Sequence, residues 1–81
     1  MCGFNGLFAY GASADPLSER ELTATRDSMT ARGPDGAGAF WSQNRRCGLG
    51  HRRLAILDVS DRGAQPMASE DNTHVIAFNG E

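Results

Sequence analysis

One helical segment with clear start and stop signals divides this chain, and it limits the folds that the chain can adopt. Ser18 and Glu21 have the spacing of a capping box, in which two side chains satisfy free backbone N–H groups reciprocally. Gly33-Pro34 forbids continuation of the helix, because proline lacks the N–H that a helix interior needs. The sequence therefore predicts a single helix over residues 19–31. The residues expected to face the core are Leu22, Thr25, Met29 and Ala31.

Short apolar segments lie on both sides of this helix, and their lengths favour strands. Residues 4–10 are aromatic and apolar, which predicts a buried strand followed by a turn at 11–16. A long polar loop is expected over residues 60–72. The order of strand, helix and several strands predicts an α+β fold with a largely antiparallel sheet. The strand candidates after the helix are residues 36–42, 47–51, 54–59 and 74–79.

Composition removes several classes of function. The chain has 81 residues and a formal net charge of -2, so no overall basic field favours nucleic acid. All basic residues are arginine, which cannot accept a proton in a protein, so no lysine is available as a base. The N-terminal apolar stretch is short, broken by glycines and lacks a basic flank, which excludes a signal peptide and a membrane span. We expect a cytoplasmic protein with no nucleic-acid or membrane partner.

Cys2 directly follows Met1, and removal of Met1 would give this cysteine a free α-amino group. With a pKa of roughly 7.7 to 8.0, part of that amine is neutral near pH 7 and can accept the thiol proton. The same logic of nucleophile and base operates in N-terminal-threonine enzymes. A chance cysteine at position 2 is the plainer interpretation, because one cysteine alone is a weak signal.

The two histidines offer a different base. A Cys2–His51 pair would resemble the arrangement of a cysteine hydrolase, although most histidines in a chain of this size are structural or exposed to solvent. Cys2, Cys47 and His51 lack the paired ligand spacing of a zinc site, so no metal site is predicted.

Two further motifs carry polar groups suited to binding. An arginine at the start of the 54–59 segment could hold a carboxylate with two parallel hydrogen bonds. Asn79 and Gly80 supply a side-chain amide and an unhindered backbone N–H, which is the composition of an oxyanion hole, although such a dipeptide is more often a simple turn. A basic patch for an anionic partner is the alternative, and its residues would be Arg45, Arg46, Arg52 and Arg53.

Taken together, five motifs in order resemble the class II, N-terminal-nucleophile glutamine amidotransferases. They are MCG (1–3), RGPDG (32–36), GHRRLAILD (50–58), GAQPM (63–67) and FNGE (78–81). The second, third and fourth motifs resemble the asparagine synthetase branch in particular. The motifs span essentially the whole chain, which makes the resemblance specific.

The resemblance implies part of a four-layer αββα sandwich and glutamine as the substrate. Cys2 would attack the glutamine side-chain amide, release ammonia and form a thioester that water hydrolyses to glutamate. Arg53 would hold the α-carboxylate, and Glu81 would lie beside the amino group. Asn79 and Gly80 would stabilise the tetrahedral oxyanion. The backbone lining the site would belong to Leu54, Ala55, Ile56 and Leu57, and the supporting turn to Arg32 and Asp35.

The same resemblance predicts a piece of a longer protein. Residues 1–81 would be the N-terminal portion of a glutaminase domain, without the remainder of that domain or the C-terminal synthetase domain that binds ATP and magnesium. No cofactor is expected in this chain, and its partners would be glutamine and that synthetase domain, which would make asparagine from aspartate. We expect the 81 residues alone to fold poorly and to lack glutaminase activity.

Three other interpretations stay open at this point. The chain could be a small anion-binding domain that uses the four arginines named above, or a cysteine hydrolase with His51 as the base. It could also be an amidotransferase whose ammonia goes to an acceptor other than aspartate.

Overall fold

The structure, a computed structural model, describes residues 2–11 and 17–80. It is a small α+β fold with antiparallel sheets, as predicted from the order of the segments. None of the helices in this part of the chain is long and apolar enough to cross a membrane. In chain order the elements are β1 (Gly3–Phe8), α1 (Glu19–Asp27), β2 (Gly36–Trp41), β3 (Cys47–Arg53), a 3-10 turn (Asp61–Gly63), β4 (Met67–Ala68) and β5 (Val75–Ile76).

The main sheet has the strand order β1-β3-β2, and β3 pairs antiparallel with both neighbours. Successive side chains of a strand point to opposite faces, so this register sorts the residues of β3 into two sets. His51 pairs with Phe4 on one side and Gly38 on the other, and these three share one face. Helix α1 packs on the opposite face, where Leu22 is completely buried.

Helix α1 begins where predicted but ends earlier. The Ser18 hydroxyl accepts a hydrogen bond from the N–H of Glu21 at 3.4 Å, which is the N-cap half of the capping box. The helix ends at Asp27 rather than at residue 31. Beyond it, the Met29 and Thr30 N–H groups donate to carbonyls only three residues back, at 3.0 and 3.1 Å, and two hydroxyl groups also donate to the last carbonyls. Ser28 donates to the Thr25 carbonyl at 2.6 Å, and Thr30 donates to the Asp27 carbonyl at 2.5 Å.

The prediction of which helix residues face the core is right only in part. Leu22 is buried and Met29 is half-buried, but Thr25 and Ala31 are exposed. The hydroxyl of Thr25 donates to the Glu21 carbonyl at 2.8 Å, within the helix, rather than to any group of the sheet. Ala31 lies beyond the end of the helix, so the helical period no longer determines its direction.

Four strand predictions need correction. The first strand exists, but it lies at the sheet edge and leaves Phe4 and Phe8 52% and 67% exposed. The 47–51 strand continues to Arg53, where β3 ends, so residues 54–59 are irregular rather than a strand. The 74–79 strand is limited to β5, whose partner β4 lies inside the predicted loop at 60–72. Of the predicted turn at 11–16, only Gly11 lies within the described residues.

The 54–59 segment is irregular because side chains take its first backbone donors. The Leu54 N–H donates to the Cys2 sulfur at 3.3 Å, and the Ala55 N–H donates to the Asp35 carboxylate at 2.9 Å. Neither donor is then available for a strand ladder.

The turn between α1 and β2 packs directly against the end of β3. Pro34 forms an isolated parallel bridge with Arg53, and the Asp35 N–H donates to the Arg53 carbonyl at 2.9 Å. Gly33 is buried here, and a Cβ at this position would overlap the backbone of Arg52. The turn therefore requires glycine at position 33 for close approach.

We predict that Gly33→Ala lowers the free energy of unfolding by about 1–3 kcal/mol, the usual cost of forcing extra volume into a packed site. Gly36→Ala is the matched control, because its Cβ would lie 3.7 Å from the nearest atom, an ordinary contact. Thermal unfolding of both variants of the full-length protein, followed by circular dichroism, measures the difference. Equal melting temperatures for the two variants would contradict the close approach at Gly33.

Candidate active site

Cys2 lies at the meeting point of three segments that are distant in sequence. Its side chain is buried, with 4% exposure. The Leu54 N–H donates to its sulfur at 3.3 Å, and the Gly80 carbonyl lies 3.9 Å from the same atom. The structure thus brings together the predicted nucleophile, the start of the 54–57 backbone and Gly80.

Segment 78–80, which carries Asn79 and Gly80, is held by two buried side chains. The Gln65 amide accepts from the Phe78 N–H at 2.7 Å and donates to the Gly80 carbonyl at 2.9 Å. The Phe78 carbonyl in turn accepts from His51 Nε2 at 3.0 Å. Three hydrogen bonds from two side chains therefore fix the backbone on either side of Asn79.

His51 has a structural partner rather than a catalytic one. Because a carbonyl can only accept, its Nε2 carries a proton. Burial lowers the pKa of His51, and the nearby Arg53 charge acts in the same direction, against the opposing effect of the Phe78 hydrogen bond. Within the described part of the chain, no hydrogen bond joins His51 to Cys2. This geometry does not favour the cysteine-hydrolase interpretation.

Arg53 and Arg52 serve opposite faces of the sheet. Arg53 is 7% exposed, and its guanidinium donates to the Ser60 carbonyl at 2.6 Å and to the Asp58 carbonyl. Arg52 points to the helix side, where it donates to the Gly33 carbonyl at 2.9 Å and to Asp27 at 3.3 Å. The two arginines are neighbours in sequence but do not share a site.

A cavity of about 350 Å³ opens beside Arg53 on the face opposite α1. Its walls combine a cation, two carboxylates, a buried imidazole and a buried amide, so it suits a small ligand that carries both charges. Cys2 is not among the residues that line it. The residues that supply these charged and polar groups are Asp35, Asp61, Arg53, His51 and Gln65, and Ala55 lies among them.

The remaining predicted site residues differ in burial and in the contacts that they make. Asp35, predicted to belong to a supporting turn, accepts a hydrogen bond from the Ala55 N–H. Arg32 is exposed and, in the described part of the chain, forms no ion pair with Asp35. Ile56 and Leu57 are 68% and 86% exposed and are not among the residues that line the cavity. Glu81 lies outside the described residues.

The four arginines proposed as an anion-binding patch do not lie together. Arg45 stacks on Trp41, with 5.0 Å from guanidinium carbon to ring centroid, and pairs with Glu19 at 3.4 Å. Arg46 donates to the Gly11 carbonyl at 3.2 Å. Arg45 and Arg46 lie just before β3 begins, whereas Arg52 and Arg53 lie at its end. At about 3.3 Å per residue, the strand separates the two pairs by roughly 20 Å. The separation does not favour a common anionic partner.

Gln65 is the site residue that sequence reasoning missed. It is 5% exposed although it lies in a segment predicted to be a polar loop. Its position before Pro66, within the GAQPM motif, was the only available signal. No periodic pattern distinguishes a buried loop glutamine from an exposed one.

Comparison with known proteins gives matches along the whole chain. A family described as "Glutamine amidotransferase domain" matches residues 1–81. The chain is 43% identical over 82 residues to glutamine-hydrolyzing asparagine synthetase 1 of Bacillus subtilis (strain 168), covering 100% of this chain and 12% of that relative. It is 42% identical over 81 residues to glutamine-hydrolyzing asparagine synthetase B of Escherichia coli (strain K12), covering 100% and 14%.

A third relative bears a different name. The chain is 36% identical over 89 residues to amidase chry2 of Gibberella zeae, covering 100% of this chain and 13% of that relative. The chain thus spans 12–14% of the length of these curated relatives. No solved structure matches it.

We predict that His51 makes stability depend on pH in the weakly acidic range. Because its pKa is lowered in the folded state, the unfolded chain binds the proton more readily. The stabilisation is complete above the unfolded pKa of about 6.5 and is lost as pH falls below it. His51→Gln keeps a donor for the Phe78 carbonyl but cannot titrate. Melting temperatures measured between about pH 7.5 and about pH 5 should therefore vary less in this variant.

Exposed His74 provides the control for this measurement. His74→Gln should keep the pH dependence of the unsubstituted protein. If His51→Gln shows that same dependence, the burial of His51 does not control the acid sensitivity.

Proposed function

This chain belongs to the glutamine amidotransferase domain family, and we propose that its site hydrolyses the side-chain amide of glutamine with Cys2 as the nucleophile. One observation carries the proposal. The Cys2 sulfur lies within 4 Å of both Leu54 and Gly80, beside the segment that holds the two expected oxyanion donors. Composition alone gives no reason to expect that Cys2, Leu54 and Gly80, which are far apart in sequence, lie together.

In the proposed reaction, removal of Met1 exposes the α-amino group of Cys2, which takes the thiol proton. The thiolate attacks the amide carbon of glutamine, and the Asn79 side-chain amide and the Gly80 N–H stabilise the oxyanion. The carbon–nitrogen bond then breaks, the proton passes to the leaving nitrogen, and ammonia departs. Water hydrolyses the remaining thioester, which releases glutamate and restores the thiol.

Arg53 is the proposed anchor for the α-carboxylate of glutamine. It lines the cavity on the face that also carries His51, whereas Arg52 is committed to the helix side. The carbonyls of Asp58 and Ser60 hold its guanidinium in place. Less side-chain conformational entropy is therefore lost when the carboxylate binds. Ala55 lines the same cavity, and Glu81 is proposed to lie beside the amino group.

Asparagine synthesis from aspartate and ATP is the proposed use of the ammonia in the whole protein. Support comes from the similarity to glutamine-hydrolyzing asparagine synthetases. A synthetase domain that binds ATP and magnesium would then be the partner of this domain. One relative bears the name amidase chry2 rather than asparagine synthetase, which motivates a second candidate, an amidotransferase with a different acceptor. Both cysteines are free thiols, which supports a cytoplasmic location.

A four-layer αββα sandwich is the proposed complete architecture. The face of the main sheet opposite α1 carries Phe4 and Phe8, which are more than half exposed. Phe8 also stacks on exposed Tyr10, with ring centroids 6.2 Å apart. An aromatic sheet face of this kind is suited to packing against a second sheet.

We predict that Cys2→Ser abolishes glutamine hydrolysis but leaves ammonia-dependent asparagine synthesis in the full-length protein. Serine is a far weaker nucleophile at neutral pH, because its hydroxyl stays protonated. Cys47→Ser is the control and should leave both activities in place. Intact-mass analysis should show Met1 absent from the active protein, and a fully active protein that retains Met1 would rule out the α-amine as base.

We predict that Arg53→Ala raises the glutamine KM steeply. Loss of one partner of a buried charged pair costs about 2–5 kcal/mol. Arg52→Ala should lower stability, since its contacts with Gly33 and Asp27 are lost, but should leave KM nearly unchanged. Steady-state kinetics of the two variants decide the matter, and a larger KM increase for Arg52→Ala would show that the wrong arginine was chosen.

A further inference from the structure

The Gln65 side chain makes two hydrogen bonds to one short piece of backbone. Its Oε1 accepts from the Phe78 N–H at 2.7 Å, and its Nε2 donates to the Gly80 carbonyl at 2.9 Å. A backbone N–H can only donate and a carbonyl can only accept, so these partners determine the orientation of the amide. Asn79 lies between the two contacts.

The location of Gln65 suits a fixed clamp rather than a mobile surface contact. The residue is 5% exposed and lines the cavity that also contains Arg53. Its backbone lies against Gly38 of β2, where any Cβ would overlap the Gln65 carbonyl. The central sheet therefore supports the loop from which the amide reaches segment 78–80.

The two contacts use up backbone groups that catalysis does not need. They occupy the N–H of Phe78 and the carbonyl of Gly80, while His51 occupies the Phe78 carbonyl. The hydrogen bonds of the described residues use neither the Asn79 side-chain amide nor the Gly80 N–H. Those are the two donors expected to stabilise the oxyanion.

We propose that Gln65 is a positioning residue that holds segment 78–80 so that the oxyanion donors face the reacting carbonyl. This inference rests on the proposed glutamine hydrolysis. The Gln65 amide acts on the reaction only through Phe78 and Gly80, and within the described residues it makes no hydrogen bond to Cys2. Its amide sets the direction of the peptide groups on both sides of Asn79, and oxyanion donors act only when they are held in place before the reaction.

The proposal makes a specific kinetic prediction, because the oxyanion exists only in and near the transition state. Loss of the clamp should lower kcat by about 10²- to 10³-fold, the range seen when one oxyanion donor is removed. The glutamine KM should change by no more than about threefold, since ground-state binding depends on Arg53.

The experiment uses Gln65→Met and Gln65→Glu in the full-length protein. Methionine has a similar size and makes no comparable hydrogen bonds. Glutamate keeps the acceptor for the Phe78 N–H but, as a carboxylate, offers no donor to the Gly80 carbonyl. Gln43→Met is the matched control, because Gln43 is exposed in the turn between β2 and β3.

Two further measurements separate positioning from folding and from the proposed function. The rate at which iodoacetamide alkylates Cys2 involves no tetrahedral oxyanion, so it should stay unchanged in the Gln65 variants. Amide exchange at Phe78, followed by mass spectrometry, reports directly on the clamp and should accelerate in Gln65→Met. Thermal unfolding followed by circular dichroism should show a cooperative transition in the Gln65 variants, which means that they are folded.

We expect a lower kcat in both Gln65 variants, with KM and alkylation rate preserved and with faster Phe78 exchange in Gln65→Met. An unchanged kcat would overturn the proposal, and so would a parallel loss of kcat, alkylation and folding, which would indicate a purely structural role. If the unsubstituted protein releases no glutamate from glutamine, the proposed function fails and the catalytic part of this inference fails with it. Phe78 exchange would still decide whether the clamp exists.

Discussion

The alternation of side chains along the central strand β3 determines how this molecule is organised. Because β3 pairs with β1 and β2 on both sides, its register cannot slip without disrupting two ladders. His51 and Arg53 therefore face the cavity, while Gly50 and Arg52 face the helix. A shift of one residue would turn Arg53 to the helix side, against Asp27, and would turn Arg52 to the cavity.

Buried polar groups, rather than a large apolar core, hold the site together. Among the described residues, the buried apolar side chains are Cys2 and Leu22, while His51, Arg53 and Gln65 are buried and polar. Each of these three donates a hydrogen bond to a backbone carbonyl of a loop that lacks regular structure. A buried polar group without its partner destabilises the fold. The three residues therefore favour the particular loop conformations in which their hydrogen bonds are made.

Local patterns predicted some elements well and others poorly. The Ser18 cap and the Gly33-Pro34 stop depend on neighbours within a few residues, so the existence of α1 followed from the sequence. Segment 54–59 has the composition of a strand, yet Cys2 and Asp35 take its first N–H groups. Both side chains come from distant parts of the chain, and no local propensity contains that information.

The sequence by itself determined the family, the α+β class and the candidates Cys2, Arg53, Asn79 and Gly80, because ordered motifs and residue chemistry are local properties. Their roles in catalysis stay proposals. Only the tertiary structure decided that Arg53 and not Arg52 faces the cavity, that His51 serves the Phe78 carbonyl, and that Gln65 clamps segment 78–80. The physical reason is that strand register and loop burial arise from contacts between residues far apart in the chain, and a buried hydrogen bond becomes visible only when both of its partners are in place.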